Sequence, residues 1–351
     1  APGGRGRTSG VGGAGRMNVT EKNNPVGTTA AGGDAPAVSV IMPAYRSAAY
    51  IAEALDSVFA QTFRDFEVVV VNDGSPDTEE LERVLEPYRG RVVYLKQENR
   101  GVSAARNAAI RASRAPLVAM LDPDDLWEPE YLEVQVGMMR ADPTLDLLYP
   151  NALIFGDAAH AGRTYMEVNP SEGDVTFEGL LTQQCTIVNY VIARREAVVA
   201  AGGFDETLRR SEDFDLWLRI LCRGGRIAYH RRVLARYRRH AGSLSSDPLL
   251  MARDVVRVLD KAARELELSD AQRRLLSRER ERFHAGLRLE EGKRAFERGD
   301  TGAALEGLGE ANRVLRSRKL SLVIRLLKVA PGLLLRAYVL RDRLLFRAGA
   351  R

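Results

Sequence analysis

Short apolar runs alternate with amphipathic segments along the first third of the chain. The runs are rich in valine and other strand-forming residues, while the segments between them repeat their apolar positions every three to four residues. The predicted strands are residues 37–43, 66–72, 91–96 and 116–121, and the predicted helices are residues 48–60, 78–88 and 102–113. Nearly continuous apolar strands that alternate with helices indicate a parallel sheet covered on both faces.

Polar residues stand where these predicted strands end. In a parallel sheet the carboxyl ends of the strands lie along one edge, and ligands bind there. The candidate segments at this edge are Pro43-Ala44-Tyr45, Asn72-Asp73-Gly74-Ser75, Asn99-Arg100-Gly101 and Asp122-Pro123-Asp124-Asp125. No G-x-G-x-x-G segment follows the first strand, which argues against a dehydrogenase.

Beyond Leu126 the alternation becomes irregular and predicts a mixed arrangement. We expect a helix at residues 130–140, extended segments at residues 147–155, 186–193 and 226–238, and nearly continuous helix from Pro248. Another helix begins at Ser211, whose hydroxyl is expected to cap it. Farther on, Gly299-Asp300 predicts a turn between two alanine-rich helices, which we interpret as a helical spacer.

The charge of the chain is concentrated at its end. The whole chain carries +5, but residues 312–351 contain eleven Lys or Arg and one acid, so they carry +10 and the remainder carries −5. An acidic body argues against a nucleic-acid enzyme, because such an enzyme carries the basic surface on its body. A basic tail favours contact with an anionic surface.

The basic tail is apolar between its charges. Residues 319–340 are interrupted by three basic residues and broken by Pro331-Gly332, so they do not supply the roughly 20 apolar residues that a bilayer span needs. They predict two short basic helices, the second carrying Arg336, Arg343 and Arg347 on one stripe, that suit a membrane interface. Packing of these apolar faces on the protein itself or on a second subunit is the alternative.

Cysteine usage indicates a reducing compartment. Cys185 and Cys222 form no C-x-x-C pair, so they build neither a disulfide framework nor a zinc cluster, and we interpret them as packed thiols. The first sixteen residues lack the apolar region of a secretory signal, and residues 1–35 predict a disordered extension. We expect a cytoplasmic protein whose tail places it on the inner face of the cell membrane.

The strongest chemical signal is L-D-P-D-D-L-W at residues 121–127, directly after an apolar strand. It places three carboxylates within four residues. Crowded like charges are unfavourable unless a cation neutralises them, and hard divalent ions prefer oxygen ligands. Mg²⁺ or Mn²⁺ held there can stabilise a diphosphate leaving group. The alternative is a solvated acidic turn before the following helix.

A second acidic segment is S-E-D-F-D-L-W-L-R-I at residues 211–220. Leu216, Trp217 and Ile220 mark a buried helix face, while Glu212, Asp213 and Asp215 remain near the helix start. A positioned carboxylate there can take the proton from an attacking hydroxyl. Taken alone, the same acids are better explained as favourable charges at a helix N-terminus; with the carboxylate cluster upstream, the catalytic interpretation gains.

Six segments in this order resemble glycosyltransferase family 2: V-S-V-I-M-P-A-Y-R-S, V-V-V-N-D-G-S-P-D, E-N-R-G-V-S-A-A-R-N, L-D-P-D-D-L-W, G-G-F-D-E and S-E-D-F-D-L-W-L. The resemblance covers residues 37–245. It implies an α/β protein of the GT-A fold, with a Rossmann-like, mostly parallel sheet and an all-α region after it. It also implies an inverting, metal-dependent transfer of a sugar from a nucleotide-diphosphate sugar.

The resemblance assigns donor-binding roles to the first motifs. Pro43, Ala44 and Tyr45 are expected to line the nucleoside pocket, and Asp73 to hydrogen-bond the base. Arg106 of A-A-R-N is expected to help hold the nucleotide. Asp122 is expected to meet the ribose.

The later motifs receive the metal and catalytic roles. Asp124 with Asp125 is expected to hold Mn²⁺ or Mg²⁺ on the diphosphate, and His240 matches a position that in some members reaches the metal or the diphosphate. Asp213 is expected to be the catalytic base, and Glu212 to place the acceptor or support that base. The alternative is that His240 has a structural role only.

Single-sugar transfer is expected, because the chain has no Q-x-x-R-W motif. The predicted donor is a UDP-sugar, uridine being the family's commonest base, and the predicted acceptor is a glycan or lipid-linked precursor of cell-surface polysaccharide or glycolipid, with no nucleic acid. The predicted domains are residues 36–247 (catalytic), 248–318 (helical) and 319–351 (basic helices). A nucleotide-sugar-binding protein without catalysis and a membrane-docked scaffold are the alternatives. The arginines of residues 231–239 suit either a solvated strand edge or contact with an anionic acceptor.

Overall fold

The computed structural model describes residues 35–156, 160–240, 242–243 and 246–332. Its strands are β1 (Val38–Ala44), β2 (Phe66–Asp73), β3 (Val93–Gln97), β4 (Leu117–Met120), β5 (Leu126–Trp127), β6 (Leu147–Gly156), β7 (Ile192–Arg194) and β8 (Ile227–Arg239). In the described residues they form one eight-stranded sheet in the order β3-β2-β1-β4-β7-β6-β8-β5. Strands β1 to β4 are mutually parallel, β7 and β5 are antiparallel to their neighbours, and β6 and β8 are parallel.

The helices lie between and after these strands. They are α1 (Ile51–Phe59), α2 (Thr78–Leu85), α3 (Val102–Ala112), α4 (Tyr131–Ala141), α5 (Tyr165–Val168), α6 (Phe177–Leu181), α7 (Arg195–Ala200), α8 (Glu212–Cys222), α9 (Pro248–Glu265), α10 (Asp270–Glu297), α11 (Thr301–Leu315) and α12 (Arg318–Val329). The long helices from α9 onwards confirm the helical region predicted from Pro248.

Both faces of the sheet are buried, as the unbroken apolar strands predict. Alternate residues of a strand point to opposite faces. Ile41 and Val69 belong to one hydrophobic cluster with α3 and α8, whereas Met42 and Val70 belong to a second cluster with α1 and α4. A strand buried on both sides favours apolar residues at nearly every position, which explains why these runs show no polar alternation.

Two local predictions were wrong in their extent. The helix expected over residues 78–88 ends at Leu85 and continues as a 3₁₀ turn at Glu86–Tyr88, because Pro87 lacks the N–H that a continuing helix needs. Of the extended segment expected at residues 186–193, only the last residues join a strand, β7. Strand β7 lies between β4 and β6 and pairs with each of them over only a few residues.

The predicted hairpin around Gly299-Asp300 is confirmed by α10 and α11. Asp300 caps α11 by accepting from the backbone N of Ala303 at 3.0 Å. Gly292 and Gly307 let the two helix backbones approach closely: a Cβ at Gly292 would lie 2.8 Å from the backbone N of Leu308, and one at Gly307 would lie 2.9 Å from the carbonyl O of Arg288. The small residues are therefore required by packing.

Helix α12 has one packed face and one open apolar face. Leu320, Ile324 and Leu327 pack against α10 and α11. Leu322 and Val329, on the other side, are 58% and 85% exposed. The second predicted basic helix, with Arg336, Arg343 and Arg347, lies outside the described residues. Among the described residues, no helix is both long and apolar enough to cross a membrane.

Candidate active site

The carboxyl ends of β1 and β2 lie side by side, as predicted. Ala44 pairs with Asn72 at the end of the parallel ladder. Pro43 and Ala44 are buried in the strand, and Tyr45, the residue that follows them, is 43% exposed. An exposed aromatic ring at this edge can stack on a flat base, since ring faces attract one another in offset arrangements.

The turn after β2 is held by Asn72 and requires Gly74. The Asn72 side chain accepts from the backbone N of Ser75 at 2.9 Å and donates to the Tyr94 hydroxyl at 2.8 Å. Gly74 has φ +60°, and a Cβ there would lie 2.5 Å from the backbone N of Asn99. A side chain at Gly74 would therefore meet backbone atoms directly.

Asp73 is buried and binds the loop that follows β3. Its carboxylate accepts from the side chain of Gln97 at 2.7 Å and from the backbone N atoms of Arg100 and Gly101 at 2.9 and 2.8 Å. The carboxylate thus brings the third polar segment, residues 99–101, against the second. Its contact with a nucleotide base stays a prediction.

Arg106 on α3 connects the two acidic segments. Its guanidinium bonds the Glu212 carboxylate and donates to Oδ1 of Asp122 at 2.6 Å. The amide of Asn189, in the orientation that satisfies its hydrogen bonds, accepts from Nε of Arg106 at 3.0 Å. Burial acts to lower the pKa of Arg106, but these carboxylates raise it overall. The pairing stabilises the charges of all three side chains, which are costly to bury alone.

The D-x-D-D segment forms a tight turn, with the backbone N of Asp125 donating to the carbonyl O of Asp122 at 3.1 Å. Asp125 is 4% exposed and accepts from the backbone N of Arg238 at 2.8 Å, so its carboxyl is not part of a solvated turn. Burial and the neighbouring carboxylates raise the pKa of both Asp124 and Asp125. The crowding expected from the sequence is therefore real and favours a cation.

His240 lies beside Asp124, as its predicted role requires. Nε2 of His240 and Oδ2 of Asp124 are 3.1 Å apart. The backbone N of Gly242 donates to Nδ1 of the same ring at 3.1 Å, so Nε2 carries the ring proton and donates to Asp124. In this geometry His240 is a hydrogen-bond donor, and Asp124 is the better candidate for direct contact with a metal.

The donor set at this edge fits a hard divalent cation with few protein ligands. Among the described residues, no group of three or more His, Cys, Asp or Glu side chains is arranged to hold a metal ion. Mg²⁺ bound with a nucleotide takes one or two carboxylates and completes its shell with phosphate oxygens and water. Asp124 is partly exposed and can supply such a ligand. The roles of Asp125 and His240 as ligands stay predictions.

Asp213 lies in the first turn of α8 with the properties of a general base. Burial, and after it the adjacent Glu212 carboxylate, raises the pKa of Asp213 to about 7, although Arg106 acts to lower it. A carboxylate with a pKa near neutrality is well matched to taking a proton at physiological pH. Glu212 is buried and bonds Arg106, so it holds that arginine next to Asp213; the role of Asp213 as the base stays a prediction.

The third acid of this helix, Asp215, points elsewhere. It bonds Arg219 on its own helix at 2.7 Å and Lys261 of α9 at 2.9 Å, and Lys261 also bonds Asp205 at 2.6 Å. These contacts fasten α8 to α9 and to the turn before α8. Asp215 therefore serves the architecture of the site.

The predicted cap of α8 by the Ser211 hydroxyl is wrong. Ser211 has φ +56°, and its buried hydroxyl has no hydrogen-bond partner in the described part of the chain. A side chain on left-handed backbone does not point along the helix start as an extended N-cap residue does. Gly202 and Gly203, with φ +88° and +69°, make the turn predicted before this helix.

Sequence reasoning missed three side chains that organise the site. Asn189 binds Arg106, Lys261 binds the acids around α8, and Arg238 ties β8 to the D-x-D-D turn by donating from Nε to the carbonyl O of Asp124 at 2.8 Å. Arg238 lies in the Y-R-R-H segment, in which the family resemblance marks only the histidine. Nothing in the sequence around Asn189 or Lys261 signals these contacts.

Comparison with known sequences places the chain among sugar-transferring enzymes. The family model for glycosyl transferase family 2 matches residues 39–198. The chain is 30% identical over 212 residues to the Escherichia coli UDP-Glc:alpha-D-GlcNAc-diphosphoundecaprenol beta-1,3-glucosyltransferase WfgD, covering 60% of this chain and 80% of that protein. It is 31% identical over 219 residues to an uncharacterized glycosyltransferase of Rickettsia bellii, covering 59% of this chain and 30% of that protein, so it spans less than a third of that relative.

Solved structures agree on the fold. S. aureus TarS 1-349 in complex with UDP-GlcNAc matches with a TM-score of 0.56 at 18% identity, covering 85% of this chain and 89% of that one. The mannosyltransferase PcManGT of Pyrobaculum calidifontis, in complex with GDP-Man and Mn²⁺, matches with a TM-score of 0.56 at 20% identity, covering 88% of both chains. The mixed, mostly parallel sheet is thus the GT-A fold expected from the sequence, followed by a helical region.

Proposed function

This chain belongs to glycosyltransferase family 2, and from that premise we propose that it transfers one sugar from a UDP-sugar to an acceptor hydroxyl, with inversion at the sugar carbon. Inversion needs the base and the leaving group on opposite faces of that carbon. The observation that carries the proposal is the position of Arg106, which bonds Glu212, the neighbour of the proposed base Asp213, and Asp122 in the D-x-D-D turn.

Asp213 has the chemistry that the attacking group requires. A sugar or polyol hydroxyl is a poor nucleophile until a base takes its proton. With a pKa of about 7, Asp213 is half ionised at neutral pH and still basic enough to accept that proton. Glu212 is a positioning residue, because it acts through Arg106 and through its own charge on Asp213.

The donor is held, in this proposal, along the ends of β1, β2 and β4. Tyr45 offers its exposed ring to the base, Asp73 and Arg106 hold the nucleotide, and Asp122 meets the ribose. Asp124 would hold Mn²⁺ or Mg²⁺, which supplies a positive charge to the diphosphate as it leaves. Complexes of S. aureus TarS with UDP-GlcNAc and of PcManGT with GDP-Man and Mn²⁺ support a nucleotide-sugar donor and a metal.

Nucleotide binding tests the donor assignment first. UDP, GDP and dTDP are titrated calorimetrically, with and without Mn²⁺, into the wild type, Asp124→Ala and the control Asp65→Ala, which removes an exposed carboxylate at the opposite end of β2. We expect UDP to bind with Mn²⁺, the affinity to fall in Asp124→Ala, and the control to match the wild type. Absence of binding by all three nucleotides would refute the proposal and favour the scaffold alternative.

Turnover then separates the enzyme from a non-catalytic binding protein. We expect release of UDP from a bound UDP-sugar, with water or an acceptor sugar as the nucleophile, and loss of this release in Asp213→Asn at unchanged UDP affinity. UDP binding without any release from any UDP-sugar would instead support a nucleotide-sugar-binding protein.

The acceptor is proposed to be a glycan or lipid-linked precursor at the cytoplasmic face of the cell membrane, in synthesis of cell-surface polysaccharide or glycolipid. WfgD, by its name, acts on a diphosphoundecaprenol-linked sugar. Helix α12 supports a membrane contact, since Leu322, Leu326 and Val329 form an exposed apolar stripe. The same helix carries four basic residues and no acid, and each basic residue near an anionic surface contributes about 1 kcal/mol.

Vesicle binding tests the membrane contact. The doubly substituted Leu322→Ser, Leu326→Ser protein is compared with a control, Val314→Ser, Leu315→Ser, that removes exposed apolar residues from α11. We expect the first variant to sediment less with phosphatidylglycerol vesicles and the control to behave as the wild type. Equal sedimentation of both variants would remove α12 from the proposal, and a change of oligomeric state in the first variant would favour a subunit contact.

A further inference from the structure

The arginines near the end of β8 divide between the two faces of the strand. Arg238 donates to Asp124 and bonds Glu53 at 2.7 Å, and His240 also reaches Asp124, so these alternate residues face the metal side of the site. Arg239 stands between them and points to the opposite face, because successive residues of a strand alternate. The ladder is regular here, with Gly156 of β6 paired with Arg239.

Three tyrosines lie on the face that Arg239 shares. The rings of Tyr165 and Tyr237 meet edge to face at 5.9 Å, those of Tyr190 and Tyr237 lie 6.5 Å apart, and the Arg239 guanidinium lies 5.9 Å from the Tyr237 ring centre. Burial and Tyr237 raise the pKa of Tyr165, the Asp213 carboxylate raises it further, and Arg239 acts to lower it. Tyr165 and Arg239 both contact the Tyr237 ring, so the two side chains border one patch of the surface.

The Arg239 guanidinium has no carboxylate partner among the described residues. Within the part of the chain that the structure describes, no carboxylate lies within ion-pair distance of its guanidinium, whereas Arg106 has two and Arg238 has one. Its side chain is only half-exposed. A partly desolvated guanidinium attracts a planar anion strongly, since it can donate two parallel hydrogen bonds.

We propose that Arg239 and Tyr165 form an acceptor subsite that binds a phosphate or carboxylate group next to the hydroxyl that receives the sugar. This inference rests on the proposed function, since it takes Asp213 as the base. The guanidinium holds the anion, the Tyr165 hydroxyl donates to it, and the half-buried rings of Tyr165 and Tyr237 pack on the apolar face of the acceptor. The acceptor hydroxyl is thereby brought to Asp213 in one orientation.

The other arginines of the run are placed differently. Arg236 lies over the Phe155 ring at 4.9 Å, as Arg238 does, and so faces the side of the strand opposite to Arg239. Arg231 and Arg232 are exposed, and Arg231 donates to the carbonyl O of Ser171 at 2.9 Å. These two fit the solvated strand edge that the sequence left open. Arg232 is consequently a matched control, being an exposed arginine on the same strand.

The test compares small anions with their neutral counterparts. Glycerol 3-phosphate against glycerol probes a phosphate, and glucuronate against glucose probes a carboxylate. Each is titrated into the wild type, Arg239→Gln and Arg232→Gln, both without nucleotide and with UDP and Mg²⁺ saturating the donor site. The UDP titration of each variant is recorded alongside, so that failure of the donor assignment is seen separately.

We expect one anionic probe to bind the wild type, its neutral counterpart not to bind, and Arg239→Gln to weaken that binding at least about tenfold while Arg232→Gln leaves it unchanged. The probe that binds identifies the anion as phosphate or carboxylate. Binding of neither anion, or equal binding by wild type and Arg239→Gln, would overturn the subsite. If no nucleotide binds, the proposed function fails, and the nucleotide-free titration still decides whether Arg239 binds an anion.

Discussion

Glu212→Gln offers a sharp test of how the base is tuned, because it removes a charge while keeping the shape of the side chain. The Glu212 carboxylate is the second cause, after burial, of the raised pKa of Asp213. It also bonds Arg106, which acts to lower that pKa. Loss of the negative charge and release of this arginine both favour ionised Asp213, so the pKa of Asp213 falls in the variant.

The magnitude follows from the pKa of about 7 in the wild type. At pH 6 about a tenth of Asp213 is ionised, so the wild-type rate is about a tenth of its plateau. For Glu212→Gln, the rate at pH 6 divided by the variant's own plateau rate should be up to about tenfold higher than the same ratio for the wild type. The plateau itself falls, since Arg106 loses an anchor.

The assay is release of UDP from a UDP-sugar, followed from about pH 5 to about pH 8.5. Glu196→Gln, which removes an exposed carboxylate from α7, is the control for net charge and should keep the wild-type profile. An acidic limb that stays at the wild-type position in Glu212→Gln, or moves to higher pH, would show that Glu212 does not set the pKa of the base.

Three further predictions concern stability and the base itself. Gly307→Ala, whose Cβ would lie 2.9 Å from a backbone carbonyl, should lower the free energy of unfolding in urea by about 1–3 kcal/mol. Its control, Gly309→Ala, has nothing within 4 Å of the added Cβ and should raise that free energy by up to about 1 kcal/mol. Equal effects would mean that α10 and α11 can move apart to accept a side chain. Lys261→Met leaves Asp205 without its cation and Asp215 with Arg219 alone, and it should cost about 3–5 kcal/mol; a cost below about 1 kcal/mol would contradict the role of this ion pair. Asp213→Asn should lower the rate about 10²–10⁴-fold, because the proposed base is lost. It should also raise the free energy of unfolding at pH 8 by at most about 4 kcal/mol, since the raised pKa of Asp213 means that ionising this carboxyl between about pH 4 and pH 7 destabilises the folded state. In thermal unfolding this gain should vanish near pH 4, and a gain that does not depend on pH would exclude ionisation of Asp213 as its cause.

The first half of the fold could be predicted because its signals are local. The apolar run at β1 and the acidic turn after β4 each report their own structure, and parallel strands place their ends at one edge whatever joins them. The resemblance to a known family added the roles of these ends. The structure places Asp124 beside His240 and Asp122 beside Arg106, contacts that the order of motifs alone does not give.

What could not be predicted depends on contacts between distant residues or on unusual backbone. Arg106 and Glu212 are far apart in the chain, and neither has a neighbour that signals the other. Asp213 and Asp215 lie two apart on one helix and so point to different sides, but only packing decides which side is the site. Ser211 has the right residue type for a cap, and its left-handed backbone cancels that preference.

The ion pair between Asp215 of α8 and Lys261 of α9 limits how far this chain can be truncated. Residues 39–198 match the family model, and the strand β8 ends at Arg239. A chain truncated soon after Arg239 would therefore keep the whole family match and the described sheet. Such a fragment would lose Lys261 and, with it, Val258 and Leu259 from the hydrophobic cluster that packs with α8. Anyone expressing a minimal enzyme should therefore treat α9 as part of the enzyme and place the first trial terminus beyond it.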